Sequence, residues 1–521
     1  MRLAAFSRLS GWTRKIKPLQ KPFIRFRSSA SDRQGEIIKS SFADVTWPAC
    51  TIPELIWDQL DRWPDKIAVE CGITGKNYSY VELQNLARQL AAALLKFGLR
   101  PDKSDVVTAL MPNMPEYVVT IFGTMEAGLV FTGINPIYSP DAAGKVGESD
   151  VRRLRGDALD LNNTTLLPYS SGTTGLPKGV CLSHTNLTAN VCQSSQAELN
   201  PIEPATKNYQ DTVPLILPLF HIYGSVIVMM RPLLRGAKLI TLPKFESASF
   251  LSTLEKNQNI VLHLVPPIIL FLSSHPNVTD NHLERIKLTM TGGAPCSGDD
   301  ILRLRQRKDH PIVQGYGMTE SSPLLTQSPI NSTKYASVGK VISNTEAKIV
   351  DTVGGKLLPP GETGELCFRG PQVMKGYHKK PEASAETIDS DGWLHTGDVG
   401  YVDDDGDFFV VDRIKELIKV KGFQVAPAEL EGVLRGHPEI ADAAVTALNC
   451  PRSGEVPIAF VIRKPNSKSN VSEKQLKEYV ENKVAPYKQI SKIVFLDQIP
   501  KSTTGKILRR QLKDMANKQY A

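Results

Sequence analysis

The chain has 521 residues, which at about 150 residues per domain predicts roughly three structural units. Its hydrophobic fraction of 41% and charged fraction of 22% are typical of a globular protein and exclude a collagen-like or intrinsically disordered chain. The seven cysteines are scattered and never spaced as CxxC, which argues against a disulfide framework and against a zinc cluster.

The formal net charge of +8 is concentrated at the N-terminus. Residues 1–31 hold eight of the 62 lysines and arginines and no acid, which leaves 54 basic residues against 54 acidic ones. This neutral body gives no reason to expect a nucleic-acid partner. The leader is rich in Arg and Ser, as mitochondrial transit peptides are, and a disordered basic arm is the alternative. A cytoplasmic or peroxisomal location stays open, although residues 518–521 read KQYA rather than ending in the peroxisomal signal SKL.

The first predicted elements alternate between helix and strand. A capping box at residues 79–82 opens an amphipathic helix that is predicted to end at Gly98. A strand at 106–110, a helix at 116–127 and a strand at 129–132 follow. This spacing predicts a parallel sheet with helical crossovers.

The most apolar stretch, residues 213–234, is predicted to be buried strand and turn. It contains three prolines together with His221 and Arg231, which would be costly inside a bilayer, so we expect no transmembrane segment.

The second half of the chain becomes richer in strands. Residues 346–369 predict a β-rich unit with Gly and Pro turns. Beyond a charged stretch, the pattern predicts a compact α+β unit with helices at 427–435 and 473–484 and strands at 444–448 and 458–462. The predicted fold is therefore α/β, with a large N-terminal domain of doubly wound α/β sheets plus a β-rich subdomain and a small, mobile α+β C-terminal domain. The predicted divisions are a leader at 1–31, a large domain at 41–412, a hinge at 413–415 and a small domain at 416–521.

The strongest local signal is a loop rich in glycine and hydroxyl groups, residues 169–179, which read YSSGTTGLPKG. Glycines let backbone N–H groups approach an anion, hydroxyls add donors, and Lys178 adds a positive charge. The pattern predicts a phosphate-binding loop, with a flexible surface loop as the alternative. The Walker A order is absent, so a P-loop NTPase is not indicated.

A second glycine-rich segment, residues 314–320, reads QGYGMTE. Glycines on both sides of Tyr316 allow its ring and the bare backbone to contact a planar ligand such as adenine. Thr319 and Glu320 offer oxygen ligands to a hard cation. A glycine-rich turn before a helix is the alternative. Residues 292–295, GGAP, show a similar and weaker pattern.

The third segment, residues 393–398, reads WLHTGD and ends in the carboxylate of Asp398. A carboxylate can accept two hydrogen bonds from a vicinal diol, so Asp398 is a candidate ribose ligand, with a turn aspartate as the alternative. The aspartates at 403, 404, 405 and 407 are expected to be turn residues only.

The fourth segment, residues 500–506, reads PKSTTGK. A lysine on a glycine-containing loop of a mobile domain can enter a phosphate site and leave it again. Taken alone, Lys506 would be interpreted as a solvated lysine beside two arginines, so its assignment depends on the other three motifs.

These four motifs, in this order, resemble those of the adenylate-forming superfamily of acyl-CoA synthetases, non-ribosomal adenylation domains and beetle luciferases. The resemblance extends from about residue 52 to residue 515 and includes 411–431, VDRIKELIKVKGFQVAPAELE. Within the superfamily, the chain is most similar to 4-coumarate:CoA ligase-like enzymes. The resemblance implies an ATP-dependent acid-thiol ligase that adenylates a carboxylic acid, releases pyrophosphate and transfers the acyl group to coenzyme A, with Mg²⁺ as cofactor. The implied substrate is an arylpropenoic acid or a medium-chain fatty acid.

The resemblance also implies a role for each matching position. The ATP or AMP ligands would be Ser170, Ser171, Gly172, Thr173, Thr174, Gly175, Lys178, Gly293, Ala294, Gln314, Gly315, Tyr316, Gly317, Thr319, Asp398 and Arg413. Thr319 and Glu320 would hold the metal, and Lys506 would act in adenylation. Around the hinge at Lys415, the small domain would rotate to bring Lys419 and Gln424 to the site. The pantetheine path would be lined by Lys421, Gly422 and Phe423, and the acyl pocket by His221, Ile222 and Tyr223.

One stretch departs from the family pattern. Only residues 141–167 separate the segment NPIYSP from the phosphate loop, and the family has a longer connection there. We therefore keep two alternatives to the ligase, a luciferase-type monooxygenase and a catalytically impaired binder of acyl-adenylate. An exposed sheet edge would be the physical consequence of the shortening. The oligomeric state is not indicated by any motif.

Overall fold

The computed structural model describes residues 35–135, 160–170, 177–450, 452–464, 471–502 and 505–520. The basic leader lies outside these ranges. So do most of the shortened connection and six residues of the predicted phosphate loop, 171–176, which include the predicted ligands Ser171, Gly172, Thr173, Thr174 and Gly175.

The strands are, in chain order, β1 (Ile38–Lys39), β2 (Ile67–Cys71), β3 (Asn77–Ser79), β4 (Val106–Ala109), β5 (Val130–Gly133), β6 (Thr164–Leu166), β7 (Tyr169–Ser170), β8 (Lys178–Ser183), β9 (Thr212–Leu215), β10 (Lys238–Thr241), β11 (Ile260–Leu264), β12 (Ile286–Thr291), β13 (Ile312–Gly317), β14 (Leu324–Gln327), β15 (Lys340–Val341), β16 (Glu346–Val350), β17 (Gly364–Arg369), β18 (Gly376–Tyr377), β19 (Leu394–Val402), β20 (Phe408–Arg413), β21 (Ile418–Val420), β22 (Phe423–Val425), β23 (Ile440–Cys450), β24 (Gly454–Arg463) and β25 (Lys492–Phe495).

The α-helices are α1 (Ile52–Trp57), α2 (Tyr80–Lys96), α3 (Pro115–Glu126), α4 (His184–Gln193), α5 (Arg231–Leu233), α6 (Ser247–Lys256), α7 (Pro266–Ser274), α8 (Asp280–Leu283), α9 (Gly298–Arg307), α10 (Pro381–Thr387), α11 (Pro427–Arg435), α12 (Glu473–Glu481) and α13 (Arg509–Tyr520). A π-helix spans Tyr223–Met230, and short 3-10 turns span Leu60–Arg62, Pro101–Lys103, Thr319–Ser321 and Pro486–Lys488.

Two sheets contain the parallel strands that the helix-strand alternation predicts. One has nine strands in the order β15-β14-β13-β12-β11-β9-β10-β2-β3, and the other has the order β18-β8-β6-β5-β4 with β7 paired to β8. The predicted capping box before α2 is present, because Ser79 and Glu82 exchange side-chain and backbone hydrogen bonds. It satisfies two of the N–H groups that a helix start leaves free.

The sheet is continuous next to the shortened connection. β6 pairs in parallel with β5, with Phe131 opposite Leu166, and the N–H of Leu167 donates to the carbonyl of Phe131 at 2.8 Å. The hydroxyl of Thr132 also donates to the carbonyl of Leu167, at 2.7 Å. Within the described residues, β5 therefore has a neighbour on both sides, and the end strands of this sheet are β18 and β4.

A third, antiparallel sheet in the order β1-β16-β17-β19-β20 forms the predicted β-rich unit. A fourth sheet, near the C-terminus, contains β21 to β25. Side chains alternate across β23. Ala443 and Val445 pack with α11 and α12, whereas Ala444 and Leu448 pack with α13. This period of two lets one strand contribute to two apolar layers, as expected for an α+β domain with helices on both faces.

The prediction for residues 213–234 is only partly correct. Thr212–Leu215 is a strand, but Tyr223–Met230 is a π-helix in which every residue is buried. The run is apolar at nearly every position, so its sequence has no period that would distinguish a buried strand from a buried helix. None of the described helices is long and apolar enough to cross a membrane.

The structure confirms the α/β fold class, with a large N-terminal region and a smaller C-terminal one. All seven cysteines are free thiols, in agreement with the absence of a disulfide pattern.

A buried histidine joins α1 to α4. The N–H of Ile52, the first residue of α1, donates to Nδ1 of His184 at 3.2 Å. Burial lowers the pKa of His184 from 6.5 to about 4. The neutral ring is therefore the form that accepts this hydrogen bond, since protonation would place a hydrogen on the accepting nitrogen.

We expect His184 to make stability pH-dependent. The pKa of His184 is lower in the folded protein than in the unfolded chain, so the neutral ring stabilises the fold above pH 6.5. As the pH falls from 6.5 towards 4, the free energy of unfolding should decrease by about 1.4 kcal/mol per pH unit because of this residue. His184→Gln should reduce this slope by that amount relative to the unmodified chain. Urea unfolding followed by tryptophan fluorescence measures it, since Trp57 lies in α1. Identical slopes for both proteins would contradict the assignment.

Candidate active site

The parallel strands β11, β12 and β13 end side by side. Leu264 pairs with Thr291, and Thr291 pairs with Gln314, so the segments that follow these strands are neighbours in space. Ligands of open α/β sheets bind at the carboxyl ends of such strands. The fold thus brings the segments 292–295 and 314–320 to one edge of the nine-stranded sheet.

The glycines of these segments are required by close packing. A Cβ on Gly317 would lie 1.9 Å from the carbonyl oxygen of Pro323, and one on Gly315 would lie 2.8 Å from Cε of Met290. Gly293 is exposed and has a φ of +80°, which side chains rarely adopt. These positions therefore present bare backbone at the strand ends.

Gln314 has a different surrounding from the other predicted nucleotide residues. It is buried, and its amide donates to the carbonyls of Cys296 at 3.2 Å and Tyr335 at 2.6 Å. Its side chain therefore ties β13 to the loop that follows β12, where Ala294 is half-buried.

Asp398 is the centre of a buried polar group. It lies in β19 directly opposite Arg413 of β20, and the Arg413 Nε is 3.3 Å from one carboxylate oxygen. The hydroxyl of Tyr316 donates to the other oxygen at 2.7 Å. Burial raises the pKa of Asp398, and Arg413 and Tyr316 oppose that shift. Burial and the nearby Asp398 charge raise the pKa of Tyr316 well above its usual value, so the phenol stays protonated and can donate.

The turn before Asp398 is held by a second carboxylate that the sequence did not single out. Glu365 of β17 accepts from the N–H of Gly397 at 3.0 Å with one oxygen. Its other oxygen lies 3.0 Å from Nδ1 of His395. Glu365 therefore positions the HTGD segment from the neighbouring strand.

Glu320 is connected through Tyr377 to Lys178 of the predicted phosphate loop. Its carboxylate accepts from the hydroxyl of Tyr377 at 2.8 Å, and Nζ of Lys178 lies 4.4 Å from the centre of the same ring. Thr319, next to Glu320, is buried, and Ser170 pairs with Lys178 across β7 and β8. Tyr377 could not be identified from the sequence, because β18 carries no motif and only strand pairing brings it beside β8.

Lys506 lies inside the site. Its loop is closed by the pairing of Lys501 with Ile507, and a Cβ on Gly505 would lie 3.4 Å from Val265 of the large region. Burial lowers the pKa of Lys506, as does Arg413, whereas Asp398 and Glu320 oppose the shift. The interpretation of Lys506 as a solvated lysine is therefore wrong for this conformation, because it is half-buried among charged site residues.

His221 lies close enough to Lys506 for the lysine charge to influence its pKa. Burial lowers its pKa to about 3, with a further decrease from the Lys506 charge, so the ring is neutral at physiological pH. Its Nδ1 accepts from the N–H of Tyr223 at 3.3 Å, which leaves the proton on Nε2. Ile222 and Tyr223 are buried beside it, at the start of the π-helix.

The residues predicted for the second half-reaction lie elsewhere. Lys419 and Gln424 are paired across the β21–β22 hairpin, and both are exposed. Between them, Lys421 and Gly422 form the exposed turn and Phe423 begins β22. The exposed Phe423 ring stacks on Tyr487 with centroids 4.6 Å apart. Thus the hairpin is on the surface while Lys506 is in the site.

Lys415 is exposed in the connection between β20 and β21. The chain passes there from the third sheet to the fourth. This is the place that a hinge between the two regions requires.

Two family profiles match the chain. The profile for AMP-binding enzymes matches residues 56–149 and 146–378, and the profile for the C-terminal domain of AMP-binding enzymes matches residues 429–506. The chain belongs to the AMP-binding enzyme family.

Curated relatives support the same assignment. A 4-coumarate–CoA ligase of Pinus taeda is 38% identical over 88% of this chain and 93% of its own length. A 4-coumarate–CoA ligase of Oryza sativa subsp. japonica is 39% identical over 85% and 88%. The protein is therefore an AMP-forming acid:CoA ligase that uses ATP and coenzyme A.

Solved structures share its architecture. The ATP-bound crystal structure of MatB from Rhodopseudomonas palustris has a TM-score of 0.80 at 26% identity and covers 90% of this chain and 99% of its own. The o-succinylbenzoate CoA synthetase of Bacillus subtilis, solved with an acyl-adenylate intermediate, has a TM-score of 0.75 at 26% identity and the same coverage.

The positions of the two lysines predict opposite defects in the ligase. Lys506→Ala should reduce acid-dependent ATP–pyrophosphate exchange by roughly 100-fold or more, because a positive charge is lost where phosphate charge must be balanced. It should still form thioester from supplied acyl-adenylate. Lys419→Ala should show the reverse pattern.

Lys501→Ala is the matched control, because its amine lies on the same loop and pairs with Asp442 at 2.5 Å instead. It should leave both half-reactions nearly unchanged. The same defect in both half-reactions for Lys506→Ala and Lys419→Ala would refute the division of labour.

Proposed function

We propose that the ligase activates an arylpropenoic acid of the 4-coumarate type in a pocket that begins at His221 and runs past Tyr223. The observation that carries the proposal is the position of the Tyr223 ring. A Cβ on Gly293 would lie 4.0 Å from that ring and 3.7 Å from Val265. A Cβ on Gly505, next to Lys506, would lie 3.4 Å from the same valine. An acid whose carboxylate meets Lys506 would therefore extend along an aromatic and apolar wall.

Two further facts favour an aromatic acid. Relatives at 38% and 39% identity carry the name 4-coumarate–CoA ligase. Tyr223 also offers an aromatic surface, against which another ring packs favourably in an edge or offset arrangement. A medium-chain fatty acid would fit an apolar wall as well, so it enters the test below as the competing substrate.

The first half-reaction needs alignment and charge balance. A carboxylate is already a nucleophile at neutral pH, so an oxygen of the acid attacks the α-phosphorus and pyrophosphate leaves with the electrons of the broken bond. Lys506 would neutralise charge on the acid and the phosphate, while Tyr316, Asp398 and Arg413 would hold the nucleoside. His221 is neutral and would orient the acid through its Nε2 proton.

The second half-reaction would use the exposed hairpin. After a rotation at Lys415, Lys419 and Gln424 would replace Lys506 at the site, and Phe423 would line the path of the pantetheine arm. The thiol sulfur would attack the acyl carbon, and AMP would leave. Closing the site between the two steps excludes water from a reactive mixed anhydride.

Thr319 and Glu320 would hold Mg²⁺. A hydroxyl and a carboxylate are the hard oxygen donors that this ion prefers, and both residues are buried. Lys178 lies over the ring of Tyr377, whose hydroxyl donates to Glu320. When bound, the ion would neutralise phosphate charge. Tyr377 would orient the Glu320 carboxylate through its hydroxyl.

Tyr377 allows a specific test of this arrangement. Tyr377→Phe keeps the ring under Lys178 but removes the hydrogen bond to Glu320, so kcat/KM for ATP should fall roughly 10-fold and the Mg²⁺ concentration for half-maximal rate should rise. Tyr377→Leu removes the ring too and should be more damaging. If Tyr377→Phe leaves the Mg²⁺ dependence unchanged, Glu320 is not positioned by this hydroxyl.

The function itself is tested with purified ligase, ATP, Mg²⁺ and a panel of acids. We expect pyrophosphate exchange and thioester formation with 4-coumarate and cinnamate, at higher kcat/KM than with hexanoate or octanoate. Better use of the aliphatic acids would overturn the aromatic proposal. Folded protein that supports exchange with no acid would overturn ligase activity in this chain and favour the impaired binder.

A further inference from the structure

A group of unpartnered polar side chains lies deep beside Tyr223. Tyr223 is 8% exposed, and His263 and Arg231 are fully buried. The Tyr223 hydroxyl, both ring nitrogens of His263 and Nε of Arg231 find no hydrogen-bond partner among the described residues. Buried polar atoms almost always have partners, so four such atoms close together indicate that something else supplies them.

The three side chains are neighbours. The rings of Tyr223 and His263 meet edge to face with centroids 6.1 Å apart. The positive charge of Arg231 lies close enough to influence the pKa of both Tyr223 and His263. These contacts define one cluster, Tyr223, His263 and Arg231, which we call the polar cluster.

We place the distal end of the proposed acyl pocket, away from Lys506, at the polar cluster. His263 is paired with Met290 on the next strand, and Nη2 of Arg231 lies 3.6 Å from the Met290 sulfur. Tyr223 lies between the buried Arg231 and the strand ends, because its ring is next to Gly292 and Gly293. An acid bound with its carboxylate at Lys506 and its chain along Tyr223 would then point its other end towards Arg231.

Arg231 is poorly compensated. Its remaining hydrogen bonds are long, 3.4 Å to the Ser194 carbonyl and 3.3 Å to the Gln327 side chain. In the parts of the chain that the structure describes, it forms an ion pair with no carboxylate. Burial lowers its pKa to about 10, so it remains charged at neutral pH. An unpaired buried cation is strongly unfavourable, and a bound anion would relieve that cost.

The polar cluster offers mainly hydrogen-bond donors. Nε of Arg231 and the Tyr223 hydroxyl each donate, and burial keeps His263 neutral by lowering its pKa well below 6.5, so its ring donates once and accepts once. Such a set suits an oxygen group that accepts several hydrogen bonds and carries negative charge.

We infer that the preferred acid of this ligase carries a second, negatively charged oxygen group, a carboxylate, at the end remote from the carboxylate that is activated. This rests on the proposed function and refines it, since it names the chemical class of the substrate. Arg231 then acts as a specificity-determining residue that pairs with the distal carboxylate.

The test compares acids of matched shape by pyrophosphate exchange with the full chain. The pairs are 4-carboxycinnamate against 4-methylcinnamate, and suberate against octanoate, with 4-coumarate as an acid with a neutral distal oxygen. We expect kcat/KM to be roughly tenfold or more higher for the acid with the distal carboxylate, as for a hydrogen bond to a charged group. Equal or better use of the neutral partner, or of 4-coumarate, would overturn the inference.

Variants of Arg231 locate the preference. Arg231→Met should abolish it by lowering kcat/KM for the acids with a distal carboxylate only, mainly through KM, and Arg231→Lys should retain part of it. Arg235→Met is the matched control, because Arg235 follows on the same segment and donates to the neighbouring carbonyl of Ser195 at 2.7 Å. Equal losses for both acids in Arg231→Met would assign Arg231 a structural role instead.

The comparison in the unmodified chain needs no variant, so the inference stays testable if Arg231→Met does not fold. Its failure also differs from failure of the proposed function. Exchange with neutral acids but without a preference for a distal carboxylate removes only the inference, whereas the absence of exchange with every acid removes the function.

Discussion

The site depends on the burial of one carboxylate. Asp398 is 6% exposed and lies where the end of the nine-stranded sheet meets the antiparallel one. A buried carboxylate is tolerated only when it is hydrogen-bonded and paired, so Tyr316 and Arg413 must stay in contact with it. These two contacts fix the end of β13 against β19 and β20. The contacts of this charge add to the apolar packing of Leu325 and Val341 against Phe368 and Phe408, which also joins the two sheets.

The charge of Asp398 also stabilises the protonated amine of Lys506 in the site. A lysine that enters a buried site loses water, and the carboxylates of Asp398 and Glu320 partly replace that water. Lys506 is on a short loop and not within the large region, so under the proposed rotation at Lys415 this compensation would be made and broken by moving the small region alone. The exposed hairpin with Lys419 fits this account, since it occupies the outside while Lys506 occupies the inside.

On the acyl side the electrostatic situation is reversed. Arg231 is a buried cation for which the described residues supply only weak partners, at 3.3 and 3.4 Å. The two ends of the proposed acyl pocket thus differ in how completely their charges are compensated. Near Lys506 the protein balances its own charges, whereas near Arg231 the balance is left incomplete, which is a physical basis for substrate selection.

The sequence by itself determined the family, the fold class and most of the elements. Motif spacing and local patterns, such as the capping box at Ser79 and the helix at Pro427–Arg435, depend on neighbours in the chain and can be identified without a structure. The prediction of strand and turn for residues 213–234 is wrong for the π-helix, because an apolar run has no period that distinguishes helix from strand. Only the tertiary structure decided that Lys506 is inside and Lys419 outside, that Tyr377 orients Glu320, and that His263 and Arg231 meet. Each of these depends on side chains from distant strands sharing one environment, and burial and charge balance have no local signature in a sequence.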